Sequence, residues 1–197
     1  DGCITVYKRE YRNKRFLDYR LTITGHSIDD MDYLTSHVSN LIENLFNIKP
    51  LVKYKKGQQT IILQVNSKGI VNFLISKEVP ISPKTNLIIP EWILLNDEYT
   101  KYFIKGVADT DGSLALKRRY RKMPYYPTIN ISSKDSSFIE QVNTSLNNLG
   151  IYGCLFLDMD NKRYYKTFKI SRLELNGFYK LNKWVEVIGF NNSKHLG

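Results

Sequence analysis

Apolar and polar residues alternate along "CITVYKRE" (Cys3–Glu10) and again along "FLDYRLTITG" (Phe16–Gly25). This period of two predicts a pair of strands, joined through the basic, turn-rich "YRNK". From Ser27 the period lengthens. Met31, Leu34, Val38, Leu41, Ile42 and Leu45 recur at helical spacing and predict a helix over residues 27–45. Ser27 is its expected N-cap, with Asp29 and Asp30 in the first turn. "LVKYKKGQQTIILQV" then predicts a hairpin turning at Gly57, and "SKGIVNFLIS" a short helix. The Pro-bearing "VPISPKTNLIIPEW" reads as a linker, with Pro90 and Glu91 suited to starting a helix.

The same order recurs downstream. "SLALKRRY" and "YYPTINISS" read as strands with a basic turn between them. A helix at Asp135–Leu149 follows, with Phe138, Ile139, Val142, Leu146 and Leu149 on one face. "GCLFLDMDNKRYYKTFKIS" forms a second hairpin, and "LNGFYKLNKWVEVIGF" holds the closing helix. An offset of about 110 residues pairs Asp1 with Asp111 and Lys84 with Lys194, and a similar offset pairs Ile23-Thr24 with Ile131-Ser132. The repeat is one of pattern rather than of letters. It divides the chain into a first half over 1–79, a linker over 80–98 and a second half over 99–197.

Composition narrows the class. The 197 residues suffice for one large domain or two half-size units. No run of about 18 apolar residues offers a membrane-spanning helix. Lys and Arg number 29 against 19 Asp and Glu, a net charge of +10 that points to a polyanionic partner. The basic residues lie in four clusters interleaved with tyrosines, "YKREYRNKRF", "KYKK", "KRRYRK" and "NKRYYK", rather than in one tail. Nucleic acid is the first reading and an anionic membrane the second, although no basic amphipathic helix stands out. Cys3 and Cys154 form neither a CxxC nor a zinc spacing, and His26, His37 and His195 lie far apart. A disulfide scaffold is not suggested.

The candidate chemistry lies in "YFIKGVADTDGSLAL" (Tyr102–Leu116) and in the opening "DGCITVYK". Ile104, Gly106, Val107 and Ala108 are expected to place small or flat side chains along one helix face just before the acid. Gly112 then permits a sharp turn into the following strand. Asp111 falls at the helix C-terminus, where the macrodipole disfavours an anion. An acid placed there suggests a cation that offsets the cost.

"IKGVADTDG" (Ile104–Gly112) resembles the LAGLIDADG motif of the homing endonuclease family: Gly106, Asp109, Asp111 and Gly112 match, and Lys105 departs from the usual small second residue. "DGCI" resembles the tail of a first motif. The resemblance extends through "IPEWI" and "IGFNNSKHL" and is to the single-chain, two-motif type. It implies an α+β fold of two pseudo-symmetric αββαββα halves, whose antiparallel sheets form a saddle over double-stranded DNA. A monomer would act as a pseudo-dimer.

The resemblance further implies hydrolysis of one phosphodiester in each strand, across the minor groove, leaving short 3′ overhangs. Asp1 and Asp111, with the backbone of Gly2 and Gly112, are the expected ligands of Mg2+, with Mn2+ or Ca2+ as substitutes. Asp109 is ranked second to them. Basic positions at the strand-to-helix junctions match His26 after Gly25 and Lys134 after Ser133. Both junctions lack the glutamine that commonly precedes the basic residue. Lys84 and Lys194 are the expected loop lysines near a leaving oxygen. The DNA face is expected to carry Lys8, Arg15, Arg20, Lys53, Lys55, Lys117, Arg119, Lys166 and Lys169.

An intron RNA maturase or a non-cleaving nucleic-acid-binding module on the same scaffold is the alternative. Retention of both acids favours the nuclease. An apolar, glycine-bearing helix is expected to precede Asp1 in the natural polypeptide.

Overall fold

The computed structural model of the chain describes residues 2–11, 14–84, 86–118, 125–163 and 166–195. Its contacts divide it into two units: Asp1–Thr85 with Asn192–Gly197, and Asn86–Asn191. The sequence pattern assigned the closing residues to the second half, whereas Asn192–Gly197 group with the first.

In the first unit, β1 (Gly2–Tyr11) and β2 (Lys14–His26) form a long antiparallel ribbon. Strands β3 (Leu51–Tyr54) and β4 (Thr60–Asn66) complete a four-stranded sheet in the order β1-β2-β4-β3. Gly57 turns the second hairpin at φ +72°, a conformation open to glycine but strained for a residue with a Cβ. Helices α1 (Ser39–Phe46) and α2 (Lys68–Ser76) supply apolar side chains to one face, packing Ile42 and Ile70 against Val65 and Leu21. Ser67 caps α2 by accepting the Ile70 N–H.

The expected helix over 27–45 starts later and is wound differently. Residues 27–30 form a turn, and a π-helical segment, Tyr33–Val38, precedes α1. Ser27 does not cap it; its own N–H donates to the Gln59 carbonyl. The wider i→i+5 turn takes up a surplus residue and rotates the buried stripe. Leu34, Val38, Ile42 and Phe46 therefore face the sheet, while Met31, Leu41 and Leu45 lie exposed.

The second unit repeats the plan. Helix α3 (Glu91–Leu94) leads into α4 (Asp97–Asp111), followed by β5 (Gly112–Lys117) and β6 (Tyr126–Ser133). After α5 (Ser136–Asn148) come β7 (Cys154–Arg163), β8 (Lys166–Asn176) and α6 (Phe178–Val187). The sheet order is β5-β6-β8-β7, the order of the first sheet.

The repeat holds at the level of register. Gly2 pairs with Ile23 as Gly112 pairs with Ile131, and Ile23 pairs with Leu63 as Ile131 pairs with Leu173. The core gathers Ile104, Ile129, Ile131, Ile139, Leu173 and Leu175 around Trp184, all nearly or wholly excluded from solvent. The two pseudo-symmetric halves make this an α+β fold of two four-stranded antiparallel sheets with helices. Among the described residues, no helix is long and apolar enough to cross a membrane.

Candidate nucleic-acid interface and metal-binding acids

Helix α4 presents different residues on its two sides. Asn96 caps its start by accepting the Tyr99 N–H, and Thr100, Ile104 and Ala108 turn into the core at four-residue spacing. Gly106 is not on that face: a Cβ added there would meet no atom within 4 Å. The single small-residue face read from the sequence is therefore two faces, one filled and one bare. Asp109, fully buried, accepts the Asn191 N–H at 2.9 Å and pins the segment after α6 to the helix. Its position makes it a structural acid.

Asp111 is the last residue of α4 and is exposed. Among the described residues no hydrogen bond or ion pair engages its carboxylate. Gly112 follows with φ −87°, so its role is not a left-handed turn. A Cβ there would stand 2.4 Å from the Ala108 carbonyl oxygen. The absent side chain lets the chain leave the helix against its own last turn, which aims the acid outward.

An exposed, unpartnered carboxylate at the negative end of a helix is a fitting ligand for a hard divalent cation. Among the described residues no group of three or more His, Cys, Asp or Glu side chains forms a metal cage. A single exposed carboxylate suits a hard divalent cation that keeps most of its waters. Asp1 lies outside the described residues. Gly2 opens β1, and the Lys84 ammonium donates to its carbonyl.

The strand-to-helix junctions are more elaborate than the sequence suggested. His26 ends β2, with Nε2 2.9 Å from Gln59 Oε1 and Nδ1 3.0 Å from the Asp29 carboxylate. A glutamine from the β3–β4 turn thus stands against His26, a contact that no local spacing could reveal. Asp30 accepts three groups: the His26 N–H at 2.8 Å, the Asn192 amide at 2.8 Å and the Lys194 ammonium at 2.9 Å. Burial pushes the Asp30 carboxyl up, but those bonds together outweigh it and hold the group below the ordinary carboxylate value. Lys194 is consequently tied to a carboxylate of the first unit, whereas Lys84 meets a backbone carbonyl. The pair matched by sequence offset has unequal surroundings.

At the second junction Asp135 caps α5 by accepting the Phe138 N–H and also takes the Leu87 N–H at 2.6 Å. Burial again raises its carboxyl, while the Ser137 hydroxyl and these N–H groups draw it below the usual range. Lys134 is exposed, its ammonium 5.3 Å from the centre of the Phe168 ring.

Register sorts the basic strand residues by face. Ile4, Leu21, Ile23, Leu63 and Val65 lie toward the helices, so their alternate neighbours lie on the other, polar face. Arg20 and Lys53 fall on that polar face, with Arg9, which the sequence reading passed over. Lys55 is exposed just past β3. Lys8 and Arg15 fall instead on the helix-side row, toward the end of the β1–β2 ribbon. Alternation alone could not say which row was which; the buried Ile4 decides it.

In the second sheet Lys117 belongs to the polar face and reaches the Glu174 carboxylate at 3.6 Å. Lys169 lies on the opposite row and pairs with Asp160 at 2.8 Å, a bond that raises its ammonium pKa. Lys166 pairs through its backbone with Arg163. Arg119 lies outside the described residues. A bulge between Phe156 and Met159, with Asp158 at φ +47° and its N–H held by the Ser171 hydroxyl, sets this phase. The extra residue keeps Met159 and Asn161 on the polar face and turns Asp160 away.

The two polar faces share a central motif. In the first sheet Gln64 donates to Asn66 at 2.8 Å and accepts from Lys53 at 3.0 Å. At the equivalent register in the second sheet, Glu174 accepts from Asn176 at 3.3 Å and pairs with Lys117 and Arg172. A neutral amide in one half corresponds to a carboxylate in the other.

Comparison with known proteins follows the same division. Residues 98–189 match the family model of the LAGLIDADG-like domain. No curated protein matches the sequence. Among solved structures, I-DmoI in complex with DNA and Mn is similar at 23% identity and a TM-score of 0.61, over 93% of this chain and 88% of that one. The LAGLIDADG homing endonuclease I-GzeII, in complex with its DNA target, is similar at 13% identity and a TM-score of 0.58, over 99% and 82%. I-LtrWI bound to target DNA gives 12% identity and a TM-score of 0.60, over 99% and 82%. I-DmoI structures have also been solved with Ca and in the presence of Mg. Residues 98–189 are thus similar to the LAGLIDADG-like domain, and the chain as a whole shares the fold of these solved structures.

Proposed function

We propose that this protein is a site-specific double-strand DNA endonuclease of a mobile intron or intein, dependent on a divalent cation and leaving short 3′ overhangs. The observation that carries this reading is Asp111: an exposed carboxylate without a protein partner among the described residues, held at the wrong end of a helix dipole by a glycine that admits no side chain. The similar structures in complex with DNA, and with Mn, Ca or Mg, support the same assignment.

Asp111 with the Gly112 carbonyl, and Asp1 with Gly2, would hold Mg2+. Mn2+ or Ca2+ would substitute as binding ions. Such an ion, when bound, acidifies a water and offsets charge on the attacking and leaving oxygens. The protein's own groups do the rest. Lys84, exposed beside the first Asp-Gly, is suited to a developing negative charge. His26, with its two ring nitrogens engaged by Gln59 and Asp29, lines one junction, and Lys134 serves the other junction as a cation. Lys194 acts as an anchor through Asp30 rather than as a free ammonium. The polar sheet faces hold duplex DNA, with Arg20, Lys53 and Lys117 central and Arg9 added to them.

The test is incubation of the protein with the uninterrupted allele of its own host locus and Mg2+. Linear duplex with short 3′ overhangs is the expected product. Intact duplex, together with faster splicing of the host intron RNA, would assign the maturase role instead.

A further inference from the structure

Arg172 occupies a place in the second sheet that its pairing partners do not explain. It lies on the polar face of β8, cross-strand from Ser132 and Phe156. Its Nε is 3.2 Å from the Glu174 carboxylate, and its guanidinium carbon sits 5.5 Å from the centre of the Phe156 ring. Glu174 is itself only 4% exposed. Drawn to Glu174 by charge, with no hydrogen bond made by its buried Nε, and lying against an aromatic ring, the guanidinium is restricted in its orientations. No described residue takes its two terminal amino groups.

Arg172 borders a depression of about 390 Å3 in the same face, formed with Asn130, Ser132, Ile170, Met159 and Asn161. Asp160 also borders it, but its carboxylate is taken by Lys169. The Asn130 side-chain oxygen is buried there without a hydrogen-bond partner. A rigid two-donor fork beside an unsatisfied amide demands a planar partner that accepts twice and donates nearby.

We infer that Arg172 is a specificity-determining residue that selects guanine at one position of the DNA half-site bound by the second sheet, with Glu174 and Phe156 as its positioning residues. Guanine presents O6 and N7 as adjacent acceptors in the major groove, the arrangement that an arginine fork matches. The first sheet has no counterpart: Gln64 replaces Glu174, and Ile62 stands where Arg172 does. The two half-sites should therefore differ at this position. The inference rests on the DNA reading given above.

Selection of bound duplexes from a randomised library, followed by affinity measurement with every single-base variant of the selected site, tests it. The wild type should prefer guanine at one position of one half-site by about 10- to 100-fold. Arg172→Ala should flatten that preference alone. Because Arg172→Ala removes one partner of a buried carboxylate, the double variant Arg172→Ala with Glu174→Gln provides a folded control, verified by its melting transition, and should flatten the same position. Unchanged base preferences in both variants, or a uniform loss of affinity across all sequences, would overturn the inference while leaving DNA binding standing. A wild type that retains no duplex at all would instead overturn the DNA reading on which it rests.

Discussion

The Lys194 ammonium lies 2.9 Å from the Asp30 carboxylate, joining residues 164 positions apart in the chain. Asn192 donates to the same oxygen at 2.8 Å, and the His26 N–H holds the other. The closing residues are thereby fastened to the strand-to-helix junction of the first unit.

This junction makes stability depend on pH. The Asp30 carboxyl is depressed, so its contribution is complete above the ordinary aspartate value of about 3.9 and is lost as pH falls through the lower folded value. Asp30→Asn should lower unfolding free energy at pH 7 by about 1–3 kcal/mol. The gap between variant and wild type should close in acid, below about pH 4. Urea titrations across pH 2–7 measure it, and a gap constant to pH 2 would remove Asp30 from the account.

Asp111→Asn should abolish cleavage and preserve duplex binding, because it removes the proposed metal ligand and leaves the basic sheet faces intact. Gel-shift and nicking assays on one preparation separate the two effects. Loss of binding along with cleavage would mark Asp111 as a structural acid.

The two glycines of the motif helix should respond in opposite ways. Gly112→Ala drives a methyl into the Ala108 carbonyl and should cost about 1–3 kcal/mol, with a fall in Tm of roughly 2–4 °C for each kcal/mol. Gly106→Ala faces open space in this chain and should stabilise the helix by about 0.5–1 kcal/mol. Calorimetry of both variants checks this; equal melting temperatures would refute it.

Binding to duplex should weaken steeply with salt. If about eight phosphates are neutralised, log affinity against log salt should fall with a slope near −7. A flat response would rule out the sheet faces as a phosphate-holding surface.

The order of elements, the repeat and the Asp-Gly motif were legible in the residues because each is local. Period-two strands, capped helices and a glycine beside an acid need no knowledge of distant chain. Helix α5 shows this, running from its Asp135 cap with Ile139, Val142 and Leu146 buried as the spacing predicts. The π-helical segment escaped because hydrophobic spacing at 34, 38 and 42 fits an α-helix nearly as well until a sheet selects the buried stripe.

Tertiary structure alone decided which strand row faces the helices. A period of two offers two equal phases, and only the burial of Ile4, or a bulge such as that at Asp158, chooses between them. It alone brought Gln59 to His26 and Lys194 to Asp30, since such contacts depend on chain return over long separations. The sequence by itself determined a twice-built, basic α+β protein with acids at the ends of its motifs. Packing determined which of its charges stay exposed and which are already paired.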